Sequence, residues 1–244
     1  MKDIQSQLDN RCVDIEKVGV KTICYPITVL DKANSRQHTI ATVNMYVNLP
    51  HRFKGTHMSR FIEILNRFRG EIDLKSFHHI LEEMKKRLQA EAAHVEISFP
   101  YFLKKEKKSD LLQACRYECR MHGSLGNTNE LELQFTVPIS LPVNVQQDAG
   151  LPSSFGHWGN AVIAVRFRHF VWIEDLIMLV EKGIVDVHRE GNGLNTEISL
   201  SVEGLTNKIS QRLCTHKEIK WYSVTVENHG EGYSTFAMTE SGIR

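Results

Sequence analysis

The chain has 244 residues, of which 41% are hydrophobic and 24% are charged, and its 30 Lys and Arg residues nearly balance 29 Asp and Glu residues. A net charge of +1 provides no overall field for nucleic acid or an anionic membrane, and no apolar run approaches the length of a membrane span, so we expect neither partner. The N-terminus lacks the apolar segment of a signal peptide, and five irregularly spaced cysteines form no disulfide framework, which predicts a cytoplasmic protein.

The first half of the chain predicts strands on either side of a helix pair. Segments 15–30 and 39–49 are rich in Val, Ile, Thr and Tyr and flank the turn-like sequence DKANSR, which indicates an antiparallel hairpin. Helical spacing of apolar residues predicts helices over 59–68 and 73–92. Further strands are predicted over 94–103, 111–122 and 129–139. Cys115 and Cys119 share a face of this region, and we interpret them as buried thiols rather than a metal pair.

The second half repeats this order only roughly, without a repeat in the residues themselves. The predicted elements are a strand over 161–170, helices over 172–181 and 202–213, and strands over 221–227 and 233–238. Antiparallel strands interrupted by helix pairs indicate an α+β fold. The glycine-rich dinucleotide motif, the phosphate loop and the G-x-S-x-G elbow are all absent from the sequence, which argues against the common nucleotide-binding and hydrolase folds.

A cluster of cationic residues precedes the first predicted helix, in the sequence LPHRFKGTHMSRF. Arg52, Lys54, His57 and Arg60 surround Gly55 there. Because like charges repel one another, gathering them gives the fold no advantage, and the cluster predicts an anionic ligand. The alternative is structural: Gly55 and its neighbour cap the helix, and the charges pair with carboxylates elsewhere.

Six segments, including this cluster, resemble the GTP cyclohydrolase IB family and follow that family's order along the chain. They read RCVDIEKVGV, VNLPHRFKGTHMSRFIEIL, FPYFLKK, QFTVPIS, VWIEDLI and VEGLTNKISQRL. The resemblance implies a tunnelling fold built from two fused halves, 1–140 and 141–244, each with antiparallel strands and a helix pair on one face. It also implies a homotetramer that converts GTP to 7,8-dihydroneopterin triphosphate and formate, opening folate synthesis.

The resemblance also assigns roles to the substrate-binding residues. Lys54, His57 and Arg60 would hold the triphosphate, which needs a cationic pocket. Glu203 falls at the position of the family's substrate-holding glutamate and would bind the N–H edge of guanine through paired hydrogen bonds. The structural alternative for Glu203 is a first-turn glutamate that the helix dipole favours.

The metal region departs from the family's pattern. The family carries Cys-Pro-Cys-Ser-Lys at its catalytic and metal-binding position, whereas this chain reads PVNVQ from Pro142, with no cysteine. His157, in FGHWGN, falls at the position of a metal-binding histidine, although such a histidine is often a plain loop residue. Glu190 or Glu197 would supply a further ligand. The implied cofactor is a divalent metal, Zn, Mn or Fe, which the family uses to activate a water molecule.

The C-terminal motif also departs, because Tyr233 and Thr235 stand where the family has a His-x-His pair and the nearby His229 is out of register. Three hypotheses follow. The chain is a GTP cyclohydrolase, a divergent enzyme of the same fold acting on another pterin or purine-like compound, or a non-enzymatic paralogue that binds such a ligand or assembles with partners. Losing one member of a catalytic unit commonly costs several orders of magnitude in rate.

Overall fold

The computed structural model describes residues 15–49, 57–68, 70–72, 74–104, 114–127, 129–141, 156–190 and 201–242. Within these ranges the chain forms nine strands and four helices. In chain order they are β1 (Ile15–Asp31), β2 (Ser35–Leu49), α1 (Met58–Arg67), β3 (Glu71–Ile72), α2 (Leu74–Arg87), β4 (Ala92–Lys104), β5 (Ala114–Leu125), β6 (Asn129–Leu141), β7 (Gly156–Phe167), α3 (Ile173–Glu190), α4 (Val202–Cys214), β8 (Ile219–His229) and β9 (Ser234–Gly242). The predicted α+β class is confirmed, and no described helix is long and apolar enough to cross a membrane.

Two compact units divide the chain. The first comprises Met1–Phe102 and Glu118–Leu133, and the second comprises Leu103–Tyr117 and Gln134–Arg244. Strands β4, β5 and β6 are therefore each divided between the units. The halves 1–140 and 141–244 stay a prediction.

The first unit contains strands in the order β3-β1-β2-β4-β5-β6, and its predicted hairpin is confirmed. The Asp31 carboxylate holds the turn by accepting hydrogen bonds from the backbone N–H groups of Ala33 at 2.9 Å and Asn34 at 2.6 Å. Such an Asx turn satisfies donors that a short loop would otherwise leave exposed. The parallel strand β3, only two residues long, was not predicted because so short an element has no periodicity.

Helix α2 covers one face of the first unit's sheet, and the opposite face is polar. On β4 the odd-numbered residues from Ala93 to Tyr101 are buried, whereas His94 and Glu96 on the other face are partly exposed. The packing is close at Gly123 of β5, where an added Cβ would lie 2.1 Å from Cε1 of the buried Phe77. Alternation of buried and exposed residues therefore assigns the two faces.

The second unit contains strands in the order β5-β6-β7-β8-β9, with α4 packed on β8 and β9. The α3 helix runs nine residues past its predicted end at Glu181, through Gly183. An added Cβ at Gly183 would lie 3.3 Å from Cδ of Arg212 and 3.5 Å from Cγ1 of Ile209, so α3 packs against α4 at this position. This tertiary contact outweighs the low helix propensity of glycine. Helix α2, by contrast, ends five residues before its predicted end, and Gln89 has a left-handed φ of 52°.

Candidate functional site

Glu203 lies in the first turn of α4, where its carboxylate is accessible. Ser201 caps this helix, because its Oγ accepts a hydrogen bond from the Gly204 N–H at 3.0 Å. The Glu203 side chain is exposed, and no hydrogen bond or ion pair joins it to another residue that the structure describes. The positive end of the helix dipole favours an acidic residue at this position.

The start of α4 points toward the end of the sheet where β8 turns into β9. Ser210 Oγ lies 2.9 Å from the Tyr222 hydroxyl, and one turn earlier Thr206 Oγ1 donates to the Ala237 carbonyl at 3.3 Å. Since Ala237 pairs with Val226, earlier residues of α4 lie beside later residues of β8. The turn that carries Glu203 therefore lies toward the β8–β9 hairpin.

The beginning of β7 reaches the same end of the second unit. Gly159 pairs with Asn228 in the sheet, and the Asn228 side-chain amide donates to the Trp158 carbonyl at 2.9 Å. His229 lies between Asn160, whose amide nitrogen is 3.2 Å from its Nε2, and the Ser234 hydroxyl, which is 3.3 Å from its Nδ1. The backbone of His157 comes two residues before Gly159, whereas its side chain lies outside the described part of the structure.

The two residues at the family's His-x-His position also lie on this hairpin. Tyr233 is 71% exposed and its carbonyl accepts a hydrogen bond from the Gly230 N–H at 3.0 Å, while Thr235 pairs with Asn228. A phenol and a hydroxyl can donate hydrogen bonds, but neither shuttles protons near neutral pH as imidazole does. The hairpin thus presents a phenol and a hydroxyl group where the family resemblance implies two imidazole groups.

In the first unit the structure describes His57 and Arg60 but not Lys54. His57 is the N-cap of α1 without a side-chain capping bond, and the first turn of α1 contains no acidic residue. Arg60 is half-buried, and its Nη1 donates to the carbonyl of Arg87, the last residue of α2, at 3.3 Å. Cationic side chains beside the positive end of a helix dipole destabilise the folded chain. An anion bound at that end would be stabilised both by the dipole and by these side chains.

The donor set for the implied metal is not assembled among the described residues. No group of three or more His, Cys, Asp or Glu side chains able to hold a metal ion occurs in that part of the chain. Pro142, at the catalytic cysteine position, and Glu197 lie outside the described residues, as does the side chain of Glu190. A proline side chain has no ligating atom, so His157 and one glutamate are the donors that remain. These are fewer than the three protein ligands typical of catalytic zinc, and the residues do not fit the implied site.

A polar cluster on the open face of the first unit's sheet was missed by the sequence reasoning. The rings of Tyr46 and His94 stack at 4.8 Å with a 14° interplanar angle, and His122 continues the row at 6.4 Å and 8°. Beside them Glu96 accepts from Asn44 at 3.1 Å and pairs with Arg120 at 3.0 Å. The signal was the alternation of polar residues along β2 and β4, which a search for contiguous motifs does not detect.

The environment perturbs the pKa values of this cluster. Burial lowers the pKa of His94 below its usual value, and the neighbouring positive charges of His122 and Lys17 lower it further. Burial alone would raise the pKa of Glu96, but hydrogen bonds from Asn44 and the charge of Arg120 outweigh it and lower the pKa overall. We therefore assign a neutral imidazole and an ionised carboxylate near neutral pH.

The family model described as type I GTP cyclohydrolase folE2 matches residues 1–187. The protein named GTP cyclohydrolase FolE2 of Syntrophobacter fumaroxidans is 43% identical over 254 residues, covering 98% of this chain and 99% of that protein. The FolE2 of Geotalea uraniireducens is 42% identical, covering 100% of this chain and 94% of that protein.

Solved structures of urate oxidases are similar in fold. A uricase from Bacillus fastidious matches with a TM-score of 0.61 at 8% identity, covering 93% of each chain. A highly active mutant of Bacillus sp. TB-90 urate oxidase matches with a TM-score of 0.60 at 11% identity, covering 94% of this chain and 100% of that chain. At such low identity the likeness concerns the fold alone, and it confirms the predicted tunnelling fold.

Proposed function

The chain belongs to the type I GTP cyclohydrolase family folE2, and on this basis we propose that it converts GTP to 7,8-dihydroneopterin triphosphate and formate in folate synthesis. The observation that carries the proposal is the similarity to proteins named GTP cyclohydrolase FolE2 over nearly the full length of the chain. The matching family model is described as type I and folE2, whereas the motif KGTHMSRF resembles branch IB. Assignment of the chain to branch IB therefore remains our interpretation of that motif.

Glu203 holds the purine ring in this proposal. Its exposed carboxylate offers two oxygens to the adjacent N–H groups of guanine, a pairing that adenine cannot reproduce. Charge-assisted hydrogen bonds of this kind are stronger than neutral ones. The absence of a described partner supports the role, because no existing hydrogen bond has to break before guanine binds.

Lys54, His57 and Arg60 hold the triphosphate. The uncapped start of α1, with no acid in its first turn, supports this role for His57 and Arg60. The Arg60 guanidinium already contacts the end of α2, and its remaining N–H groups can donate to phosphate oxygens. Repulsion within this cationic group is relieved when the anion binds.

The family resemblance implies a divalent metal cofactor, Zn, Mn or Fe, and His157 and Glu190 are the ligands of that site that this chain retains. Such a metal supplies an activated water molecule. Because the donor set is incomplete, we assign no step of the reaction to it. The assembly in this proposal is a homotetramer in the cytoplasm, as the family resemblance implies.

A second candidate function is a divergent paralogue that binds a pterin or purine-like ligand and has a different activity or none. The observation that favours it is the replacement of the catalytic cysteine region by PVNVQ and of the histidine pair by Tyr233 and Thr235. The binding residue Glu203 is retained in both candidates. They therefore differ in turnover and agree in ligand binding.

The experiment is to incubate the purified chain with GTP and, separately, with zinc, manganese and ferrous iron, and to measure formate and fluorescent neopterin. The Glu203→Ala variant serves as the matched control under each metal. Formation of both products by the wild-type chain alone supports the cyclohydrolase. Saturable GTP or pterin binding without product supports the paralogue, and the absence of both turnover and binding contradicts each candidate.

A further inference from the structure

We propose that the open face of the first unit's sheet carries a second binding site, over Gly19 and between Lys17 and Lys21, for a small planar anion: an aromatic ring bearing a carboxylate or phosphate group. None of these residues belongs to the substrate site proposed above.

The row consists of residues aligned across neighbouring strands. Gly19 pairs with Tyr46, and Tyr46 pairs with His94. The rings of Tyr46, His94 and His122 stand nearly parallel, with interplanar angles of 14° and 8° between successive members. Adjacent strands lie about 4.8 Å apart, which is also the spacing of stacked rings, so the next position in the row is suited to another ring. Gly19 occupies that position and has no side chain.

The gap is built into the backbone. A Cβ at Gly19 would lie 1.9 Å from the Met45 carbonyl oxygen, a separation that real Cβ atoms do not show. Any other residue would force β1 away from β2. Just beyond Gly19 the β1–β2 register shifts between Val20 and Ile23. Within this shift Thr22 has a left-handed φ of 58°, and its N–H donates to the Asn44 side chain at 2.8 Å. Such bulges are common next to binding sites.

A cavity of about 390 Å³ lies over the gap. The residues that line it are Lys17, Gly19, Lys21, Asn44, Tyr46 and Glu96. This volume is at the lower end of the range for small-molecule sites, roughly 300–1,000 Å³, and suits a single ring with one substituent. The ring of Tyr46 forms one wall and provides a face for stacking.

The charge of the cavity favours an anion. Glu96, the one acid among the described residues that line the cavity, accepts a hydrogen bond from the Asn44 amide and pairs with Arg120, so its charge is compensated. Lys17 and Lys21 are both exposed, and Lys17 Nζ lies 5.1 Å from the centre of the Tyr46 ring. The Lys17 ammonium lies over the Tyr46 ring, on the face that His94 leaves uncovered. A planar anion can therefore stack on Tyr46 once the flexible Lys17 side chain moves off the ring, and its carboxylate or phosphate then pairs with the two ammonium groups.

The test is isothermal titration calorimetry of the full chain with benzoate and with phenyl phosphate at low salt. Inorganic phosphate is the control for an anion without a ring, and phenol is the control for a ring without a charge. We expect both aromatic anions to bind at least tenfold more tightly than either control, and binding to weaken as salt is added. Lys17→Gln with Lys21→Gln should raise the Kd about tenfold, because each exposed ion pair contributes about threefold. Lys217→Gln, an exposed lysine of the second unit, should leave the Kd unchanged.

Tyr46→Leu tests the stacking wall and should raise the Kd about fivefold. If Tyr46→Leu unfolds, the double lysine variant, whose substituted side chains are exposed, tests the binding site by itself. The C2 proton of His94, assigned in the NMR spectrum with His94→Gln, should shift when the aromatic anion binds beside its stack. Failure of both aromatic anions to bind would overturn the site. Equal affinity for inorganic phosphate, or a Kd unaffected by the double lysine substitution, would also overturn it.

Discussion

Glu203→Ala should abolish tight GTP binding while leaving the fold intact. The carboxylate is exposed and joined to no described residue, so its removal breaks no packing contact. The helix loses a favourable first-turn charge, about 0.3–1 kcal/mol before screening, and gains the higher helix propensity of alanine. The Ser201 cap remains, so the free energy of unfolding should change by less than about 0.5 kcal/mol.

The loss in binding should be much larger. Two hydrogen bonds to a charged group contribute about 1.5–3 kcal/mol each, and a conservative total of about 3 kcal/mol corresponds to more than a hundredfold in Kd. The assay is calorimetric titration with GTP beside urea unfolding of the same preparation. Glu63→Ala, which removes an exposed glutamate from α1, is the matched control and should leave the Kd unchanged. A Glu203→Ala protein that folds normally and binds GTP as the wild type does would refute the assigned role.

Three further predictions concern the phosphate site, the core and the polar face. Arg60→Gln should weaken GTP binding about tenfold or more yet change guanosine binding little, because only GTP carries the triphosphate; equal losses for both would show that Arg60 acts structurally through its hydrogen bond to Arg87. Gly123→Ala should lower the free energy of unfolding by about 1–3 kcal/mol in urea, because the new methyl group collides with the buried Phe77 ring, and an unchanged value would contradict that packing. Because the pKa of His94 is lower in the folded chain than its usual value of 6.5, the unfolded chain takes up a proton first as the pH falls through 6.5. The free energy of unfolding should therefore decline as the pH falls through that value, and His94→Gln should lessen the decline in urea titrations; an identical decline in the variant would contradict it.

The order of elements followed from the sequence because local patterns decide it. The turn at Asp31 has a side chain that binds its own backbone, and alternation along β2 and β4 fixes the buried face. The predicted end of α3 was wrong because the helix continues through Gly183, where it packs against α4. Such tertiary contacts leave no local signal along the chain.

The candidate site was predictable only in part. Matching motifs point to Glu203 and Arg60, whose roles stay predictions, and the surroundings of the site depend on contacts between distant segments, such as Asn228 with Trp158. The row of rings from Tyr46 to His122 was missed because its members come from three strands and lie far apart in sequence. Register between strands, rather than any motif, brings them together.

The central claim is that this chain opens the imidazole ring of GTP and releases its carbon as formate. The most direct measurement is ¹³C NMR of the full chain incubated with [8-¹³C]GTP and each divalent metal in turn. The account predicts one equivalent of labelled formate for each GTP consumed, with none formed by Glu203→Ala. Label that remains entirely in the purine ring with every metal, in a preparation that still binds GTP, would contradict it.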